Sequence, residues 1–549
     1  MPFDSSAVSA TAQIDSVDLH RLPWASKLYR DYTNNYGGLE TFYSGSPTDK
    51  KDWANIIDKR RRMRPTTKVA SALSAQLAGR GAPLESRKAA KSLAEPETVA
   101  IVTGQQAGLF GGPLFTLLKA ITAIKLARQV ADEHDTNVVP IFWVDAEDHD
   151  LDEISKCQLL DQNLELKSIT LTTTSKRRTT ASSVRLEASC HETLAGLNEL
   201  LPRTEFTSQL LTDLSDIYTE GTRIVDAFAQ WLDKLLGPFG LVVFDASDPA
   251  VKPLVQSVFV DELKMPGETN RQASVSGAAL VSRGYHSQVT PAEDTTALFH
   301  INDTRQLIHV SGDDFLIEDR TIDANALLSE ANSHPEHFSP NVLLRPIIQD
   351  TLFPTVAYVS GPSELAYLGQ LRKVYERFRI PMPLIYPRTS ATLVDRATLK
   401  FLNRYELDFE DLQPRDDSAI NRILTSRLPA EIDVAINATD ASIDKQLSVL
   451  ESAVAAIDPT LTGVVKSTRN RMKRDLGTLK TKILQGAKRR EETMRRQYDR
   501  ARVQSFPGGQ PQERNLSTVY FVNRYGPIFI ERLLATLPTN PGRHWLINI

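Results

Sequence analysis

The sequence predicts an α/β protein: a strand-and-helix core with insertions, followed by a C-terminal α-helical coiled-coil domain. Three observations lead there. Two apolar runs, Glu97–Val102 and Val138–Val144, have the length and β-branched content of buried strands. The first breaks into a glycine-rich stretch, residues 103–113, and then into a helical pattern from Leu114 to about Asp132. Strand, glycine turn and helix together open a βαβ unit. Far downstream, Ile443, Leu447, Leu450, Val454 and Ile457 are spaced four, three, four, three, which is a heptad seam.

Bulk composition fits a large globular enzyme. At 549 residues the chain has room for about three or four domains. Charged residues make up 24% and hydrophobic ones 41%, and a net charge of −4 gives no overall reason to expect nucleic acid. The two cysteines, Cys157 and Cys190, exclude a disulfide framework or a thiolate metal site. No stretch reaches the ~18 apolar residues of a membrane span, and the first twenty residues lack a signal-peptide pattern, so a cytoplasmic location is expected.

Taken in order, residues 1–94 read as mainly helical and polar. Their basic run, Lys59 to Arg64, stops at Pro65 and reads as a solvated helix end. The core's first part spans 95–264. It holds both strands above, a short β pattern at Leu166–Leu171, an amphipathic helix around Leu210–Leu236, and a third strand at Gly240–Phe244 ending in an acidic turn at Asp245. Residues 265–340 read as an inserted, substrate-shaping region with short strands such as Ala297–Ile301 and Asp314–Ile317. Its His286, His300 and His309 are taken as ordinary surface or core histidines. The core resumes over 341–395 with a strand at Pro354–Val359, a helix through Leu365, Leu368, Leu371 and Tyr375, and a last strand at Pro383–Tyr386.

From Ala391 the pattern turns helical, and residues 396–510 form the coiled-coil arm. A longer helix, Val465 to Ala501, is expected to pair antiparallel with the Ile443–Ile457 helix. Lys466 to Arg502 holds fourteen Lys/Arg against four Asp/Glu. Such a stripe binds nucleic acid in some proteins, but it lacks interleaved aromatics and is read as a solvated or acid-paired face, with nucleic acid not expected as a partner. An exposed arm of this length favours a homodimer through the coiled coil. Residues 511–549 are expected to pack back on the core.

Chemistry concentrates in the turns that end the core strands, because ligands of open α/β sheets bind at the carboxyl edge. The first turn offers Gly104, Gly108, Gly111 and Gly112 with the amides of Gln105 and Gln106. It matches neither the dinucleotide fingerprint nor the P-loop. Close backbone approach to a ligand is one reading and simple turn geometry the other. The second turn packs six carboxylates into nine residues around His149: Asp145, Glu147, Asp148, Asp150, Asp152 and Glu153. A capping turn, a Mg or Mn site, and an organic site gripping an amine or sugar hydroxyl are all open. The last is preferred, with Asp148 and His149 as candidate catalytic groups and Asp145 and Glu147 as binding groups. No metal ligand is assigned. The third turn, Ser360-Gly361-Pro362-Ser363-Glu364, offers Ser360, Gly361, Ser363 and Glu364, and the fourth offers Arg388 and Ser390 as phosphate contacts.

Three segments carry a resemblance to a known family: TGQQAGLFGGPLFTLLKAITAIKLA, PIFWVDAEDHDLDEI and RPIIQDTLFPTVAYVSGPSELAYLGQL, with NLSTVYFVNRYGP near the end. They resemble the cysteine ligases of bacillithiol biosynthesis, the BshC family, over most of the chain. The resemblance implies a Rossmann-like nucleotide-binding core related in layout to class I aminoacyl-tRNA synthetases, plus a helical coiled-coil domain. It implies addition of cysteine to the amine of glucosaminyl malate, the last step to bacillithiol, with cysteine and the aminosugar malate as partners. By the same analogy ATP is the implied cofactor, although neither synthetase signature, HIGH or KMSKS, is present as such. The contrasting expectation is a nucleic-acid or protein-interaction factor that uses the basic arm on a nucleotide-binding scaffold.

Overall fold

The computed structural model describes residues 14–62, 67–174, 179–302, 304–413, 417–426, 430–490 and 492–548. The chain divides into two compact units, one formed by residues 1–393 with 510–549 and the other by 394–509.

At the centre of the first unit is a five-stranded, all-parallel sheet. Its strands in chain order are Val99–Gln105, Val138–Val144, Val242–Asp245, Thr355–Ser360 and Leu384–Pro387. In space the fifth lies beside the fourth, then come the first, second and third. This is the doubly wound order, and it reverses between Val99–Gln105 and Thr355–Ser360. The strands are almost wholly buried, as expected where helices cover a parallel sheet. Val99, Ile101, Val356, Val359 and Leu384 pack with Ala123, Leu126 and Val130 of the helix Leu114–His134 and with Trp53, Ile56 and Ile57 of the helix Lys50–Arg61.

Several boundaries differ from the sequence reading, each for a local reason. The amphipathic stretch at 210–236 is two helices, Thr207–Ile217 and Ile224–Leu236, separated by a turn in which Gly221 takes φ +84°. The helix after Ser360 is likewise two, Pro362–Leu368 and Arg372–Phe378. The helical pattern does not begin at Ala391, and Ser390 is not in a turn. It opens a further strand, Ser390–Val394, in a three-stranded sheet with Ile14–Asp18 and Arg543–Asn548. The insertion is richer than its text, with five antiparallel strands and the helices Glu268–Ser282 and Ala324–Ser333.

The basic run at 59–64 is not simply a solvated helix end. Arg60 is fully buried, donating to the Asp350 carbonyl at 3.0 Å with the Asp350 carboxylate 3.7 Å away. Arg61 and Arg62 do stay at the surface on Asp58, and 63–66 lie outside the described residues.

The second unit holds the hairpin of Ala430–Ala455 and Leu461–Arg490, then Glu492–Ser505. Ion pairs fix the direction: Arg469 meets Glu451, Lys473 meets Asp440 and Asp444, and Lys480 meets Asp433. Position falls on one helix as it rises on the other, so the pair is antiparallel. Part of the basic stripe is thus matched by an acidic neighbour. Ile443, Leu447, Val454, Leu476 and Ile483 are partly covered. Leu450, Met472 and Leu479, expected in the seam, remain exposed, and Ile457 lies past the helix end and is 81% exposed.

Candidate active site

A cavity of about 480 Å³ lies where the strand order reverses, walled by the turns that leave the first, second, fourth and fifth core strands. Gly104, Gln105 and Gln106 come from the first, Trp143 and Asp145 from the second, and Gly361, Ser363 and Glu364 from the fourth. Arg388 follows the fifth strand, and Arg345, Tyr358, Tyr367, Phe115 and Arg514 complete much of the wall. The size suits a cofactor-sized ligand.

Polar side chains converge on it in two buried sets. Lys119 reaches up from the second turn of the helix Leu114–His134, donating to the Gly104 carbonyl at 2.8 Å and to Gln105 Oε1 at 2.9 Å, and pairs with Glu364. Burial lowers the Lys119 pKa, with Glu364 opposing. Glu364 also accepts from the Gly361 N–H and the Tyr358 hydroxyl, each at 2.7 Å. Burial pushes its carboxyl up, but Lys119 and these donors outweigh it and hold it below the ordinary value. The carboxylate therefore closes the first turn of its own helix and fixes the lysine.

The second set is less complete. Arg345, at the start of the helix Arg345–Leu352, is only 7% exposed and donates to the neutral Gln349 (3.0 Å) and Tyr367 (3.2 Å), with its guanidinium over Trp143 and Tyr358. No carboxylate lies within ion-pair distance of it among the described residues. Asp145 lines the same cavity, and its side chain has no hydrogen-bond partner among the described residues. Burial raises its pKa from 3.8 to about 6; Arg345 pulls it down and Asp148 pushes it up. A buried cation and a partly buried carboxylate that line one cavity and feel each other's charge without a direct ion pair are a site for a ligand carrying both charges.

Other nominated residues serve elsewhere. Gly108, Gly111 and Gly112 do not line the cavity; they shape the turn. Gly111 has φ +94°, and a Cβ there would lie 2.9 Å from Trp231. Gly111→Ala is expected to cost about 1 kcal/mol or more in chemical denaturation while leaving ligand binding unchanged. Gly104 is in the first strand, packed so closely on Trp143 that a Cβ would sit 2.8 Å from its carbonyl.

Glu147 is buried and bound to Lys252. The Ser360 hydroxyl is buried and has no hydrogen-bond partner among the described residues, while its carbonyl receives the Arg388 N–H at 2.8 Å. Arg388 lines the cavity but is held bidentately by Glu513 at 2.7 and 3.0 Å. The Ser390 hydroxyl is taken up by Glu513 (2.9 Å) and His544 (2.8 Å), away from any phosphate.

Asp148 and His149 are also off the cavity wall. Gln106 donates to Asp148 at 3.1 Å and Arg305 approaches it at 3.9 Å. His149 is exposed, with Nδ1 3.6 Å from Asp148 Oδ1. The acidic turn itself splits: Asp145 at the strand end and Glu153 line the cavity, whereas Asp150 caps the short helix Leu151–Ile154. Sequence reasoning passed over Lys119, Arg345, Tyr358 and Tyr367. Lys119 left a trace, a lone cation in an otherwise apolar helix face, and the last three lie inside the RPIIQD…AYLGQL segment.

The fold and site define a class: a doubly wound, Rossmann-like α/β enzyme core with an appended helical hairpin unit. Residues 13–389 match the family model described as Bacillithiol biosynthesis BshC, N-terminal Rossmann-like domain, and residues 391–549 match the BshC C-terminal coiled-coil domain. A relative from Salinibacter ruber is 31% identical over 96% of this chain and 98% of its own length. One from Chlorobaculum tepidum is 34% identical over 81% and 82%, and one from Koribacter versatilis 30% over 97% and 99%. Each bears the name "Putative cysteine ligase BshC". The chain belongs to the BshC family.

Proposed function

We propose that this protein is a cytoplasmic ligase that joins cysteine to the amine of glucosaminyl malate, the last step of bacillithiol biosynthesis. The observation that carries the reading is the pair of ionically unpartnered groups in the cavity. Arg345 offers a guanidinium to a carboxylate, and Asp145 offers a carboxylate to an ammonium, the two charges of a free amino acid. Family membership supplies the identity of that amino acid.

In this reading Asp145, rather than Asp148 or His149, is the acid/base group. Its ionised form takes the proton that the acceptor's amine nitrogen gives up as it bonds the cysteine carboxyl carbon, while the bond from that carbon to one carboxyl oxygen breaks and the oxygen leaves with the group that activates it. Lys119 and Glu364 hold the Gly104 and Gly361 backbones that form two sides of the cavity. ATP fits the donor set, because Arg514 lines the cavity without an ion-pair partner among the described residues. When bound it would supply activation of the cysteine carboxyl group. Incubating the protein with cysteine, glucosaminyl malate and ATP should yield the condensed thiol by mass spectrometry. No product in the complete mixture contradicts the proposal.

The helical unit serves self-association in the same proposal. Leu450, Met472 and Leu479 are exposed apolar groups on one hairpin whose longer helix extends roughly 45 Å at 1.5 Å per residue. Leu450→Asp with Leu479→Asp is expected to halve the mass seen by analytical ultracentrifugation. A monomeric mass for both wild type and variant would refute the dimer.

A further inference from the structure

The insertion brings three metal-ligating side chains together, none of which lines the cavity. Antiparallel pairing sets Phe338 opposite His300, so His337 arrives beside His300 by register alone. The helix Ala324–Ser333 then delivers Glu330 to both rings. His337 Nδ1 lies 2.7 Å and His300 Nε2 3.0 Å from the same atom, Glu330 Oε1. One ligand atom from each residue falls within 4.8 Å of the others. We propose that His300, Glu330 and His337 bind a divalent transition-metal ion of the zinc class, clamping the insertion's strand, helix and turn.

The ligand chemistry selects the ion. Two imidazoles with one carboxylate suit zinc and its neighbours, whereas calcium and magnesium call for oxygen cages. Tetrahedral zinc with bonds of 2.0–2.1 Å has ligand atoms about 3.3 Å apart, so the present 2.7–3.0 Å hydrogen bonds need open only slightly.

The surroundings restrain the rings. His334 stacks on His337 with centroids 5.2 Å apart and planes 14° apart, and His334 Nδ1 lies 3.1 Å from Glu336. The edge of Phe338 packs on His300 at 5.5 Å. Three protein ligands leave a fourth position for water. None of the three residues lines the candidate active site.

The test uses tag-free, full-length protein stripped with a chelator, then titrated with Zn²⁺ or with Co²⁺ as a visible-absorption probe. One equivalent should bind, with the absorption of tetrahedral cobalt and a raised melting temperature. Glu330→Gln and His300→Ala/His337→Ala should each weaken binding about tenfold or more, while His334→Ala retains it. Melting of the metal-free variants separates lost ligands from lost folding, and Glu330→Gln keeps the test valid should the double variant fail to fold. Absence of stoichiometric binding by wild type, or undiminished binding by Glu330→Gln, overturns the proposal. Loss of binding in His334→Ala overturns it too, by moving the ion to His334, Glu336 and His337.

Discussion

Asp145→Asn is expected to lower kcat/KM for cysteine ligation by about 10²–10⁴-fold, the range for loss of a positioned acid/base group. The substitution keeps shape and removes charge, so the loss should not come from unfolding. The sign of the linkage supports this. Burial raises Asp145 from 3.8 to about 6, so its contribution to stability is full below about pH 3.8 and is lost as pH rises through about 6. At pH 7 the wild-type fold carries an ionised carboxylate that it disfavours. The neutral asparagine should therefore melt at or above the wild-type temperature at pH 7. Wild-type activity should in turn rise as pH passes through about 6. A fully active Asp145→Asn, or one that is inactive because it is unfolded at pH 7, contradicts the assignment.

Glu513→Ala should produce the largest loss of stability, about 3–5 kcal/mol, because it leaves the buried Arg388 without its counter-charge. Glu513 ties together Arg388, the Ser390 hydroxyl and the Ala391 N–H, and so joins the fifth core strand to the C-terminal segment. Burial works to raise its carboxyl, but Arg388 dominates and brings it from 4.5 to about 2. Its stabilisation is present above pH 4.5 and disappears as pH falls through 2. His544, buried between Ser390 and Thr392, is lowered from 6.5 to about 4 by burial. Its contribution holds above pH 6.5 and fades as pH falls through 4. Acid destabilisation should accordingly begin between pH 6.5 and 4 and steepen below it. Urea melts of Glu513→Ala that differ from wild type by under about 1 kcal/mol would remove this network from the account.

How far the sequence speaks depends on whether a contact is local. The strands Val99–Gln105 and Val138–Val144 are legible because a buried parallel strand is a short, nearly unbroken apolar run. The turns after them are legible because glycine and clustered carboxylates stand out at a strand end. Which carboxylate faces the ligand is not legible. Asp145 continues the strand direction inward, whereas three residues on the chain has turned and Asp148 meets Gln106 and Arg305. Arg388 and Ser390 look free in the text because their partner, Glu513, lies more than 120 residues away. Lys119 and Arg345 were missed for the same reason, each becoming meaningful only where helix and sheet edge meet. The heptad seam gives the hairpin, yet the exposed Leu450, Met472 and Leu479 depend on which partner covers each face.

The central claim is that the cavity at the reversal of strand order binds cysteine through Arg345 and Asp145. Calorimetric titration of cysteine into wild type, Asp145→Asn, Arg345→Gln and His149→Ala tests it most directly. The account predicts binding to wild type and His149→Ala, and about tenfold or greater weakening in Asp145→Asn and Arg345→Gln, as befits loss of a charge-assisted contact. Unchanged affinity in both cavity variants, or loss confined to His149→Ala, would contradict it.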